Sequence, residues 1–280
     1  MLRILRYLKY AIVPTIIILI LLAAEVYTDL SLPVYTSKIV NIGVEQGGIE
    51  SYVPQIISVY EMECIENLVY SSNYQSIKDN YVLANREGAN LTSDQRDIVD
   101  NLLGKDYEIK SNTLYVIKNK ELINNENLKQ NFKRPLVLLK YAQNPENEDL
   151  IKAEVTKNLD YNTRQVMMTE NILDFIHSEI YSDLAPVMAN FEKEKFANYS
   201  ESILTQSAIA ETLSEYEKLG VNIDYLQTTY LKEVGTKMCV LAVISAICAI
   251  LIMFFSSIIS SKIGKELREN TLKKVLTFSI

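Results

Sequence analysis

The chain has 280 residues, 22% of them charged, a net charge of −7 and a mean hydropathy of +0.03. An acidic balance excludes a broad nucleic-acid-binding surface, because phosphate backbones attract the opposite sign. One histidine and three cysteines leave no cluster with metal-ligand spacing.

The apolar residues concentrate at the two ends. Behind Arg3, Arg6 and Lys9 comes an uncharged run, Tyr10 to Ala24. As a helix it measures roughly 22 Å, short for a hydrocarbon core of about 30 Å. It spans only if the helix continues through Glu25 to Asp29, or if Lys9 and Tyr10 reach back to the inner face. Basic residues before an apolar run are also the pattern of a signal peptide. Leu22, however, occupies the position where cleavage after Ala24 prefers a small residue, and the apolar pattern runs on through Val26, Leu30, Leu32 and Val34. A transmembrane helix is therefore expected. Glu25 and Asp29 lie one turn apart, on one face. Together with Thr36 they either line a polar pathway between helices or solvate the helix end at the outer headgroups. The second reading matches the end of the apolar run just before them. Pro33 predicts a kink or a stop, and Gly43 and Gly47-Gly48 a break into the next domain.

The middle of the chain is mixed. Ile56, Ile57, Tyr60, Ile65 and Leu68 recur at helical spacing over Val53–Val69. Thr92 and Gln95 are spaced as a capping box for a helix that Gly104 closes. Thr113–Ile117 reads as a short strand, and Pro135 as the start of an apolar helix through Leu139. Asn162–Gly220 is patterned as helix, interrupted at Pro186. Cys64 reads as a small buried hydrophobe. His177, without a second histidine or a cysteine cluster nearby, reads as a surface or half-buried helical residue.

Asp224 is a plausible N-cap for the last element. Tyr225 to Thr277 contains no proline, and an unbroken helix of that length runs roughly 80 Å, more than twice the bilayer core. Within it, Met238–Ile259 is uncharged over 22 residues, roughly 33 Å. Beyond the span, Ile263, Leu267, Leu272, Val275 and Leu276 form an apolar stripe among charges, and that stripe needs neighbouring helices. The N-terminal end carries +3 and the segment from Leu231 onward +4, which leaves −14 for Glu25–Tyr230. The positive-inside rule then predicts both termini in the cytosol and residues about 30–230 outside.

No catalytic constellation is encoded. Gly104-Lys105 and Gly264-Lys265 lack the remaining residues of a phosphate loop. Asn90-Leu91-Thr92 and Asn198-Tyr199-Ser200 match the glycosylation pattern, which is frequent by chance. The chain divides on this reading into a basic lead-in with helix one (1–50), an extracytoplasmic domain (51–223), and helix two with its cytosolic extension (224–280). The expected class is a mainly α membrane protein: two long helices flanking a mostly helical domain with minor β structure.

Several segments resemble a known family. Arg6-Tyr7-Leu8-Lys9-Tyr10, Asp29-Leu30-Ser31-Leu32-Pro33, Ser37–Gly43 and Gln46-Gly47-Gly48-Ile49-Glu50 resemble the opening of ABC-type multidrug exporters of the clostridial kind. Tyr230–Gly235, Gly264-Lys265-Glu266-Leu267-Arg268 and Lys274–Ser279 look like their second membrane helix, descending toward the first coupling helix. Val53-Pro54-Gln55-Ile56-Ile57 and Tyr225–Tyr230 are similar to a long insertion between helices one and two. The resemblance implies the permease portion of an ATP-driven transporter. Its partners would be the lipid bilayer, further transmembrane helices, an ATPase domain and a second half-transporter. ATP and Mg would be held elsewhere, with no cofactor in this chain. Helices three to six and the ATPase motifs have no counterpart here, so a truncated product or a split subunit is expected. The alternative is the sensing module of a two-span receptor. Such a receptor would place a proline soon after span two, which Ser260–Ile280 lacks, and would leave Asp29–Pro33 and Gln46–Glu50 unexplained.

Overall fold

The computed structural model describes residues 12–85, 89–105, 113–158, 161–169, 171–178 and 184–277. The basic lead-in Arg3, Arg6 and Lys9 and the closing Phe278-Ser279 lie outside the described residues. The chain forms two compact units, Ile42–Thr229 and Met1–Asn41 with Tyr230–Ile280.

The second of these units is made of two long helices. Helix α1 (Ile12–Lys38) continues through Glu25, Asp29 and Pro33, so the first apolar run becomes long enough, roughly 40 Å, to cross a bilayer. Pro33 is tolerated within it, and a seven-residue π-helical stretch, Ile39–Glu45, follows. Helix α11 (Ile223–Thr277) is unbroken over 55 residues, roughly 80 Å. Both helices are long and apolar enough to cross a membrane. Their apolar side chains face outward: Leu19 is 61% exposed and Ile250 67%. Hydroxyls along them turn back onto their own backbone, as Thr28 does to the Glu25 carbonyl, Ser31 to Tyr27 and Thr236 to Lys232. In a bilayer that arrangement would remove free donors from a surface with no water to satisfy them.

The other unit is mainly helical around a small sheet. Strands β1 (Ile56–Ser58), β2 (Tyr81–Leu83) and β3 (Leu114–Ile117) run antiparallel in the order β1-β3-β2, with Ile56 opposite Val116 and Val82 opposite Val116 on the other side. The helices are α2 (Val59–Leu68), α3 (Ser71–Lys78), α4 (Ser93–Leu103), α5 (Glu126–Ala142), α6 (Pro145–Val155), α7 (Tyr161–Thr169), α8 (Ile172–His177), α9 (Leu184–Lys195) and α10 (Glu201–Lys218). Helix α10 lies along α5 and reaches β1, while α2 packs on α8 and α9. Ile56, Val116, Ile117, Leu128, Phe132, Leu136 and Tyr216 are buried at the centre. Tyr141, Phe191, Phe196 and Tyr199 form an aromatic group with neighbouring ring centroids 5.4–6.4 Å apart that ties the end of α5 to α9.

Local signals explain several boundaries. Thr92 and Gln95 form the expected capping box, and Gly104 stops α4 at φ +91°. The strand expected near Thr113 is β3. Four expectations are corrected. Val53–Val69 is not one helix: Ile56-Ile57-Ser58 pairs with β3, and the Ser58 hydroxyl, accepting from Glu61 N at 3.1 Å, starts α2 only afterwards. Pro135 does not begin its helix. Asn125 caps it by accepting from Leu128 N, and buried Leu128 and Phe132 already set the inner face. Pro186 falls in the first turn of α9 rather than between elements. Asp224 lies in the first turn of α11, and Asn222 accepts from Tyr225 N in its place.

Candidate functional site

On α1, Ser245 of α11 donates to Asp29 Oδ1 at 2.8 Å, which joins the two helices through a polar pair. Glu25 is half-buried, and Thr28, between them, is 3% exposed. Thr36 is exposed and donates to the Leu32 carbonyl, so it is not gathered with the other two. Ile263 is half-buried, whereas Leu267, Leu272, Val275 and Leu276 are exposed along α11. The expected stripe is a helix face without cover among the described residues.

In the mixed unit, an open cleft of about 750 Å³ is lined by Glu63, Glu66, Asn67, Tyr70, His177 and Pro186, among others. Its walls come from α2 and the α2–α3 turn on one side and from the ends of α8 and α9 on the other. His177 closes α8: its ring stacks on Tyr60 at 4.3 Å and Nε2 lies 2.8 Å from Glu63 Oε2. Asn67 Nδ2 donates to the Ile176 carbonyl at 2.8 Å, pinning the same helix end. Burial, then the neighbouring Cys64 and Asp174, push Tyr60 up to about 12, so it remains a neutral hydroxyl. Burial and a hydrogen bond with Glu66 raise Tyr74 beyond its ordinary range. Among the described residues the lining holds two carboxylates, Glu63 and Glu66, and no lysine or arginine, a surface that attracts cations.

A second polar group was not singled out by sequence. Glu61 of α2 meets Glu211, Glu215 and Lys218 of α10, and the three carboxylates are 2%, 0% and 3% exposed. Glu211, Glu215 and Lys218 have the spacing of one helix face, the available signal, but such a run ordinarily marks a solvated face. Glu61 is too distant in sequence to be linked to it.

Cys64 is fully buried, and burial raises its thiol well above the ordinary range, consistent with a packing role. Among the described residues no group of His, Cys, Asp and Glu is arranged to hold a metal ion. Protein-family models, curated proteins and solved structures all contain no match to this chain.

Proposed function

We propose that the chain is part of the membrane domain of an ATP-driven ABC-type exporter, with α1 and α11 as its first two membrane helices and the mixed unit as an extracytoplasmic insertion. The observation that carries this reading is α11. An unbroken helix of 55 residues exceeds what a bilayer needs and ends in an exposed stripe, Leu267, Leu272, Val275 and Leu276. An exposed apolar stripe on a charged helix is stable in water only when other helices cover it. In an exporter that extension would carry rigid-body motion between an ATPase domain and the membrane gate. The acidic insertion would lie outside, following the positive charge at both ends of the chain. The sensing-module alternative shares the two spans, but leaves the proline-free extension and its stripe without a role.

Purified in mild detergent with the subunits that stay bound, the protein is expected to hydrolyse ATP. The double substitution Leu267→Glu and Leu272→Glu should release those subunits and abolish hydrolysis while the mixed unit melts as before. A stable complex without ATP hydrolysis, or hydrolysis indifferent to the double substitution, would refute the assignment.

A further inference from the structure

We propose that Glu61, Glu211, Glu215 and Lys218 form a buried proton-binding site, in which one proton carried by Glu61 and shared with Glu211 holds α10 against α2. Charge and hydrogen bonding lead to this together. Lys218 Nζ lies 3.8 Å from Glu61 Oε2, Glu211 Oε1 and Glu215 Oε2, beyond hydrogen-bond length to each, and its side chain is 49% exposed. Within 4 Å, one half-exposed cation thus faces three buried carboxylates. Glu215 Oε1 accepts from Ser58 N at 2.8 Å, and Glu211 Oε1 accepts from Gln143 Nε2. Glu61 Oε1 and Glu211 Oε2 have no donor at all. With every carboxylate ionised, two buried oxygens would be orphaned beside uncompensated negative charge. Groups in that position neutralise instead. A proton on Glu61 supplies the missing donor and lets one carboxyl bond the other.

The surrounding groups do not offer another solution. From α5, Lys140 adds a second positive charge, with Nζ 3.3 Å from Gln143 Oε1. Tyr60 and Cys64 on α2 and Tyr216 on α10 are all shifted upward, chiefly by burial, and stay neutral. Burial, then Glu215 and Glu211, raise Glu61 to about 9, against the pull of Lys218. Burial likewise raises Glu211. The three carboxylates are not arranged to hold a metal ion among the described residues.

The sign follows from linkage. Glu61 keeps its proton in the folded state up to about 9, whereas the unfolded chain releases it near 4.5. The stabilisation is fully present below the unfolded value, declines as pH rises through the window, and is gone above the folded one. One such proton corresponds to a fall in melting temperature of about 3–5 °C per pH unit for a unit of this size.

The test is thermal unfolding of the full chain in detergent between pH 5.5 and pH 9, with Glu61→Gln as the neutral isostere. The wild-type melting temperature should fall with pH, and the variant should lose at least about 3 °C per unit of that slope. Equal slopes would overturn the proposal, as would calcium raising the wild-type melting temperature through the same carboxylates. Infrared spectroscopy of the wild type provides a readout that needs no variant. The carbonyl stretch of a protonated carboxylic acid should be present at pH 7 and absent at pH 10, and its absence at pH 7 would also overturn the proposal.

Discussion

The peptide between Pro54 and Gln55 is gripped at both ends by buried tyrosines. Tyr81, from β2, donates its hydroxyl to the Pro54 carbonyl at 2.6 Å, and the Tyr216 hydroxyl, from α10, accepts from Gln55 N at 2.8 Å. Both rings are buried, at 4% and 2% exposure, and Gln55 also accepts from Ile117 N at 2.9 Å. Removing either hydroxyl with phenylalanine keeps the ring and the packing but orphans one backbone group. Each single substitution should therefore cost about 1–3 kcal/mol, or about 2–4 °C in melting temperature per kcal/mol for a unit of this size. Because both hydroxyls hold one planar peptide, losing the first lets that peptide shift toward water, and the second loss should cost less. The double variant Tyr81→Phe/Tyr216→Phe is expected to fall short of additivity by about 0.5 kcal/mol or more. The chain has 18 tyrosines and no tryptophan, so far-ultraviolet circular dichroism is the cleaner probe for these variants. Additivity within about 0.3 kcal/mol, the range expected of independent sites, would refute the idea that the two hydroxyls act on one peptide.

Three further substitutions probe the frame around it. Gly47 has φ +58°, and an added Cβ would come within 2.9 Å of Leu213 Cδ2, so Gly47→Ala should destabilise by about 1–2 kcal/mol, measured by chemical denaturation. Thr92→Ala removes one half of the α4 capping box and should cost about 1 kcal/mol, with faster amide exchange confined to the start of that helix. Phe132→Ala empties a fully buried position beneath Tyr81 and should cost about 3–5 kcal/mol, whereas an equal loss from exposed Tyr161→Ala would contradict the core assignment.

What could be read in the sequence was local. Thr92-x-x-Gln95, Gly104 and the proline-free stretch to Thr277 each carry their instruction within a few residues, and α4 and α11 follow them. Of the sheet, β3 was legible near Thr113 but β1 and β2 were not, because they have three residues each and take their identity from pairing with β3, which lies far along the chain. Ile56 and Ile57 suit either a strand or a helix by period alone. Asn125 outcompeted Pro135 as a start signal because the polar first half of α5 hid Leu128 and Phe132. At the candidate site the same rule holds. His177 could be placed on a helix, but its stacking on Tyr60 and its pairing with Glu63 span more than a hundred residues.

The polar residues of α1 can be separated by their partners. At 1.5 Å per residue Glu25 lies about 20 Å and Asp29 about 26 Å along the helix from Ile12. Asp29 accepts from Ser245, which stands seven residues inside the uncharged run Met238–Ile259, so in a bilayer spanned by that run the pair would sit about 10 Å within it. Glu25 lies one turn before Asp29 and is half-buried, next to Thr28, the one residue of α1 that is buried. Thr28 spends its hydroxyl on the Glu25 carbonyl, so it offers the Glu25 carboxylate no donor. A carboxylate inside a bilayer would require donors from water or from further helices, since lipid supplies none. Of the three residues on the expected polar face, Asp29 is therefore joined to the second long helix and Thr36 to its own backbone, and Glu25 is the carboxylate that a bilayer around α1 would oblige to find water or a further helix.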